Sequence, residues 1–185
     1  EETKKNPQWV HFGAGNIFRA FPAALQQKLL NEGIEKTGII VAEGYDYEII
    51  KKAYRPQDDL SLLVTLKANG TIEKTVIGSL AESLTVDRHD ADDWGRLKEI
   101  FARDTLQMVS FTITEKGYSI TSPDGAFRAD VKADFEAGPE NADSYIGKLA
   151  ALCYWRYTQG AAPLALVSMD NCSHNGDKLF AAVDA

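Results

Sequence analysis

Apolar and polar positions along the chain follow two periods in turn, and the elements they predict alternate between strand and helix. Trp9-Val-His-Phe12 is a short β-rich run. Ile17, Phe18, Phe21, Leu25 and Leu29 then recur at helical spacing and predict a helix to about Asn31, with Gly33 as its stop signal. Gly38-Ile-Ile-Val-Ala42 is a second strand, apolar throughout and so expected to be buried. Tyr47 to Ala53 is a short helix ended by Arg55-Pro56. Two alternating segments, Ser61 to Lys67 and Thr71 to Ile77, are joined by Ala68-Asn-Gly70. Asn-Gly between alternating runs signals a β-hairpin, whose polar face (Thr65, Lys67, Glu73, Lys74, Thr75) is expected to be solvated. Asp92 to Arg103 sets Trp94, Leu97, Ile100 and Phe101 on one side of a helix, and Leu106 to Thr112 reads as a buried strand. After a turn at Ser122-Pro-Asp-Gly125, residues Ala129 to Asp143 read as a surface loop. Tyr145 to Tyr157 is a long helix closed by Gly160, Leu164 to Ser168 a short strand, and the last residues begin one more helix. This order predicts an α/β fold in one domain over residues 1–185: a doubly wound, mainly parallel sheet with an inserted β-hairpin.

Composition narrows the partners more than the fold. A chain of 185 residues is long enough to bury about 70% of the surface its unfolded form exposes. The net charge of −7, without any basic block, argues against nucleic acid. No apolar run approaches the roughly 18 residues needed to cross a bilayer, and the charged start (Glu1, Glu2, Lys4, Lys5) leads into no signal-peptide core, so no membrane partner and a cytoplasmic location are expected. Cys153 and Cys172 are too few for a disulfide framework and are expected as reduced thiols. With three histidines lacking ligand spacing, they offer no metal site.

The candidate chemistry begins where the first strand meets the first helix, at Gly13-Ala-Gly15 followed by Asn16-Ile-Phe-Arg19. Strand, glycine turn and helix in this order are what a dinucleotide pyrophosphate requires. Gly13 allows the tight turn, Gly15 lets backbone approach phosphate oxygens, and the first N–H groups of the helix face the anion. The third glycine of G-x-G-x-x-G is absent, its place held by Phe18. Glu43 closes the second strand, where an acid accepts hydrogen bonds from the adenosine ribose and repels the extra phosphate of NADP. The nearest following cation, Lys51, is about two helical turns away, which favours NAD; the Gly15 to Glu43 spacing exceeds the usual value of about 20 residues, so a long helix or loop must absorb the excess. Thr114-Glu-Lys-Gly-Tyr118 is a polar cluster at the carboxyl edge, from which Thr114 or Glu115 is expected to line the nicotinamide end. His11 is expected to be packed within its strand and His89 solvated. Trp9, Trp94 and Trp155 are expected in a core or domain interface.

Phe12-Gly-Ala-Gly-Asn-Ile-Phe-Arg19, Thr112-Ile-Thr-Glu-Lys-Gly-Tyr118 and Ser168-Met-Asp-Asn-Cys-Ser-His-Asn-Gly176, each at the end of an expected strand, together resemble the polyol-specific long-chain dehydrogenases, which include mannitol dehydrogenases and fructuronate and tagaturonate reductases. The resemblance implies a Rossmann-type nucleotide-binding domain and metal-independent hydride transfer between NAD(H) and a sugar alcohol or keto-sugar acid. Gly13, Ala14, Gly15, Asn16, Ile17, Phe18 and Arg19 then belong to the pyrophosphate turn, although other members often carry histidine or glycine where Phe18 stands. Asn171 matches an asparagine that helps to polarise the reacting carbonyl, while Asp170, His174 and Asn175 are expected to fix the loop. The resemblance covers only the family's first half. The catalytic lysine belongs to a helical domain expected to be missing from this chain, and that assignment outranks Lys116 as the base. Two rivals share parts of the pattern: an S-adenosylmethionine-dependent methyltransferase, which also pairs a glycine turn with an acid, and a non-catalytic nucleotide-sensing module.

Overall fold

The computed structural model describes residues 1–160 and 162–185. Helix α1 (Glu2–Lys5) precedes strand β1 (Trp9–Phe12), and the glycine turn leads into α2 (Asn16–Ala20) and α3 (Pro22–Asn31). Strand β2 (Ile39–Glu43) follows, then α4 (Tyr47–Ile49), prolonged by a π-helical turn (Ile50–Tyr54) and a 3-10 turn (Arg55–Gln57). Next come β3 (Ser61–Leu66), β4 (Ile72–Ile77), β5 (Leu80–Thr85), α5 (Ala91–Phe101), β6 (Met108–Phe111), α6 (Thr114–Gly117), α7 (Ala129–Ala137) and a 3-10 turn (Pro139–Asn141). Helix α8 (Tyr145–Thr158), β7 (Ala165–Ser168) and α9 (Asn175–Asp184) complete the chain.

Five parallel strands form one sheet in the order β5-β2-β1-β6-β7, and β3 pairs with β4 as the expected antiparallel hairpin. From β1 the chain builds outward through β2 to β5, then crosses to the other side for β6 and β7. The strand order therefore reverses between β1 and β6, and at such a switch point a crevice opens beyond the carboxyl ends of the strands.

Side-chain alternation supplies each face of the sheet with its own core. Val10, Phe12, Ile40 and Ala42 join Leu97, Ile100 and Phe101 of α5 and Leu149 and Leu152 of α8. Ile39 and Val41 point the other way, toward Phe18, Ala23, Ile50, Tyr54 and Ile77. The ring of Phe12 meets those of Phe101, Phe111 and Tyr145 at centroid distances of 6.4, 5.4 and 6.3 Å, so truncation to alanine there is expected to cost about 3–5 kcal/mol. Arg156 is buried near the end of α8 and donates to five carbonyls, of Phe101, Arg103, Leu106, Ala162 and Pro163, at 2.7–3.1 Å.

Several elements depart from the sequence expectation. The first helix is two helices, because Pro22 lacks the N–H needed to continue α2, and a new helix starts from it with Phe21 at its N-cap. Of the apolar stripe, Ile17, Phe21 and Leu25 are 63%, 64% and 64% exposed, and it is Phe18, Ala23 and Gln26 that are buried. Strand β5 lies where the apolar pattern predicts no element. It is an edge strand whose polar residues find partners only in the folded protein: Glu82 accepts from the Arg96 guanidinium, and Thr85 donates through N–H and Oγ1 to Asp93, both at 2.7 Å. The expected loop from Ala129 contains α7, where alanines of high helix propensity carry a stripe of only Val131, Asp134 and Phe135. Asp134 is buried because it accepts from the N–H groups of Asp143 (2.7 Å) and Ser144 (3.0 Å) and so fixes the entry to α8.

Candidate functional site

The glycine turn sits at the mouth of the crevice, held from three sides. Gly13 has φ +114°, and a Cβ there would lie 2.4 Å from the Thr112 carbonyl oxygen, so only glycine fits between β1 and β6. Its N–H donates to Ala42 O at 2.9 Å. Ala14 N–H donates to Glu43 Oε2 at 2.7 Å, and Tyr54 OH donates to Ala14 O at 2.7 Å. Gly13 and Ala14 amides thus serve the fold itself. The next three N–H groups, of Gly15, Asn16 and Ile17, donate to no protein acceptor among the described residues, and a Cβ on Gly15 would meet nothing within 4 Å. Open space against three free amides is the cradle that a phosphate oxygen needs. Arg19 Nη2 donates to Asn16 Oδ1 at 2.6 Å, and its guanidinium lies 5.7 Å from the centroid of the Tyr54 ring.

Phe18 corrects one expectation. Its side chain has no exposure and stacks on His11 at 4.2 Å with the rings 9° apart, so it supports the turn from beneath and cannot reach a ligand. His11 is packed within β1 as expected, and burial holds its pKa far below the ordinary value, at about 3.

Glu43 is buried at the carboxyl end of β2. Besides Ala14 N–H, its carboxylate accepts from Tyr45 N–H (2.8 Å) and Asp46 N–H (3.3 Å). A carboxylate offers about four lone-pair positions; with three taken, one remains for a ribose hydroxyl. Glu43 opens, with Gly13, Gly15, Thr112, Thr114 and Arg128, on a groove of about 430 Å³. A second cavity of about 300 Å³ shares Tyr45, Gly117 and Arg128 with it, so the two form one crevice along the strand ends. Tyr45 stacks on Tyr145 at 4.6 Å and is otherwise exposed, presenting a flat aromatic surface at the rim. Burial raises the Tyr45 hydroxyl pKa and so keeps it protonated, the nearby Arg128 guanidinium opposing this shift in part. Arg128 itself donates to Asp130 through two nitrogens at 3.1 and 2.7 Å and to Ser119 O at 3.2 Å, which largely offsets its charge.

On the far side, Asp170 ties the loops after β6 and β7 together. It accepts from Ile113 N–H (2.9 Å), Thr114 N–H (3.0 Å) and Tyr118 OH (2.5 Å), and Asn175 Nδ2 donates to its carbonyl at 2.8 Å. These bonds hold Thr114 at φ +65° on the groove wall. Asp170 and Asn175 are thus loop-fixing residues, whereas His174 is exposed beside Asp177 at 3.2 Å. Glu115 does not line the groove; it pairs with Lys178 of α9. Asn171 is exposed on the loop after β7 and also lies outside the groove lining. Lys116 does line it. Tyr45 and Arg128, which line the groove, had no place in the sequence expectation: Tyr45 carried a signal, standing two residues after Glu43, while Arg128 precedes a helix that the pattern did not show. Among the described residues no group of histidine, cysteine and carboxylate side chains could hold a metal ion, and no helix is long and apolar enough to cross a membrane.

The family described as "Mannitol dehydrogenase Rossmann domain" matches residues 7–185. The chain belongs to this family. Among similar members, D-mannonate oxidoreductase of Thermotoga maritima is 50% identical over 99% of this chain and 34% of its own length, and polyol:NADP oxidoreductase of Gluconobacter oxydans is 32% identical over 92% and 35%. The solved Pseudomonas fluorescens mannitol 2-dehydrogenase, a ternary complex with NAD and D-mannitol, superposes with a TM-score of 0.79 at 28% identity, covering 95% of this chain and 36% of that one. The chain spans about a third of the length of these relatives. Membership sets aside the methyltransferase reading, whose glycine turn and acid were the shared features.

Proposed function

We propose that this chain is the NAD(H)-binding unit of a cytoplasmic oxidoreductase that interconverts a secondary alcohol and a ketone on an open-chain sugar acid. The observation that carries the reading is that Gly15, first of three successive residues whose amides are free, lines the same groove as the buried carboxylate of Glu43. A dinucleotide diphosphate fits the amides, and one adenosine ribose hydroxyl fits the remaining lone-pair position on Glu43. When bound, the nicotinamide cofactor supplies or accepts the hydride. The residues of this chain bind and orient: Gly15, Asn16 and Ile17 hold the diphosphate, Tyr45 supports the purine, and Thr114, held by Asp170, walls the nicotinamide end. Asn171, exposed on the loop after β7, takes the part of donor to the developing oxyanion. The general base comes from a further, helical domain, and the relatives' length leaves room for one. Exposed Ile17, Phe21 and Leu25 offer an apolar face beside the glycine turn for it to cover. A sugar acid of the mannonate kind is favoured over mannitol by the 50% identity to an enzyme named for D-mannonate.

The Gluconobacter oxydans relative is named for NADP, so cofactor choice is the point to test. The negative charge of Glu43 opposes a ribose 2′-phosphate, while Arg128 is engaged with Asp130. Titration of tryptophan fluorescence with NADH and NADPH is expected to give at least tenfold tighter binding of NADH. Equal or tighter binding of NADPH would refute the role given to Glu43, and binding of neither would refute the proposed function. Residues 1–185 alone, given NADH and a keto-sugar acid, are expected to show no turnover.

A further inference from the structure

Beneath the glycine turn a line of polar side chains crosses from β1 to β6 and ends at the groove. Trp9 Nε1 donates to Ser110 Oγ at 2.6 Å, Ser110 Oγ lies 2.7 Å from His11 Nδ1, and His11 Nε2 lies 2.9 Å from Thr112 Oγ1. His11 and Ser110 have no exposure, and Thr112 lines the groove beside Gly13 and Gly15. The direction of each bond follows from counting protons. Trp9 can only donate, so Ser110 accepts from it and has one hydroxyl proton left to place. If that proton goes to His11 Nδ1, the neutral ring carries its own proton on Nε2 and donates it to Thr112 Oγ1, and every buried donor has a partner. In the opposite tautomer both Trp9 and His11 donate to Ser110, whose hydroxyl proton then has no acceptor among the described residues, a costly arrangement for a fully buried group. The favoured direction leaves the Thr112 hydroxyl proton as the one donor of the line without a protein acceptor among the described residues, next to the amides of the turn.

We propose that His11 is a positioning residue that turns the Thr112 hydroxyl outward as a donor to a phosphate oxygen of the dinucleotide. This rests on the proposed function, since it assigns a further contact within the same groove. The line also explains a polar strip in the middle of a parallel sheet, where β1 and β6 would otherwise be expected to be apolar on both faces. Phe18 seals its open side by stacking on the His11 ring.

The test uses ADP-ribose, which carries the diphosphate without the nicotinamide, and the 185-residue chain with its Thr112→Val, Thr112→Ser, His11→Gln and His11→Leu variants. In the wild type, a long-range proton–nitrogen NMR correlation is expected to show the His11 proton on Nε2. Calorimetry is expected to show Thr112→Val binding ADP-ribose about tenfold to a hundredfold more weakly, with Thr112→Ser close to wild type. His11→Gln can accept from Ser110 and donate to Thr112 through its amide and is expected to keep affinity, whereas His11→Leu loses it. The titration stoichiometry reports the folded fraction of each variant. A proton on Nδ1, or equal affinity for wild type and Thr112→Val, overturns this inference and leaves the proposed function standing. Failure of wild type to bind ADP-ribose overturns both.

Discussion

Glu43→Gln replaces one carboxylate oxygen by an NH₂ group at a place where three backbone N–H groups converge. The single remaining oxygen can serve either Ala14 or the pair Tyr45 and Asp46, because these two sets bond to different oxygens of the native side chain, at 2.7 Å and at 2.8 and 3.3 Å. At least one hydrogen bond to a charged acceptor is therefore lost, worth about 1.5–3 kcal/mol, and a buried backbone donor is left facing another donor, adding about 1–3 kcal/mol. Since relaxation recovers part of this, the expected destabilisation is about 3 kcal/mol, a large share of a typical domain's total. With a urea m-value of about 2 kcal/mol/M for a chain of this size, the unfolding midpoint should fall by about 1.5 M. Urea titration followed by circular dichroism and by tryptophan fluorescence, with coincident transitions, measures it. A shift below about 0.3 M would refute the view that this carboxylate ties the glycine turn to β2. ADP-ribose affinity measured on the folded variant would then isolate its part in ribose binding.

Three further outcomes follow from the geometry. Burial would raise the Asp93 pKa, but hydrogen bonds from Thr85 N–H and Oγ1 and from the Arg55 guanidinium outweigh it and hold the pKa below the usual carboxylate value. The stabilisation is therefore present above the unfolded-state pKa and lost as pH falls through the folded one, so acid unfolding monitored below about pH 4 should be blunted in Asp93→Asn, which is less stable at pH 7; an unchanged acid limb would refute this. Arg156→Met keeps the apolar stem but strands five carbonyls, and thermal unfolding should show a loss of about 3 kcal/mol or more, whereas a change under 1 kcal/mol would mean that water replaces the guanidinium. Cys153, whose thiol burial pushes up to about 11, should react with a thiol reagent at neutral pH far more slowly than an unhindered thiol, and rapid labelling under native conditions would contradict its packing.

The parts of the fold legible in the sequence are those in which a local pattern and the tertiary environment agree. The apolar runs of β1 and β2 are buried on both faces, Asn69-Gly70 closes a hairpin, and the helices at 91–101 and 145–158 carry stripes that do face a core. Strand β5 was hidden because Glu82 and Thr85 break its apolar pattern and are satisfied by Arg96 and Asp93 of the following helix, a pairing that apolar periodicity does not report. The stripe of Ile17, Phe21 and Leu25 misled for the converse reason: apolar spacing gives a face but not what that face meets. In the site, Gly13 and Glu43 were legible because the turn and the strand end impose their residue types. Asp170 was expected to fix its loop and does, but its partners Ile113, Thr114 and Tyr118, like the burial of Phe18 and the place of Arg128, depend on contacts between segments far apart in the chain, and only the folded arrangement displays them.

The hairpin of β3 and β4 has a dynamic consequence. Leu62, Val64, Leu66, Ile72 and Val76 leave one of its faces in water, so it is attached to the body through Leu63 and Ile77 on the other. A two-stranded ribbon is marginal by itself, and one anchored along a single row can peel away while the parallel sheet stays intact. Its amide protons should therefore exchange with deuterium long before those of β1 and β6, making the ribbon the first part of the chain to open and the rest a separate, later-melting unit.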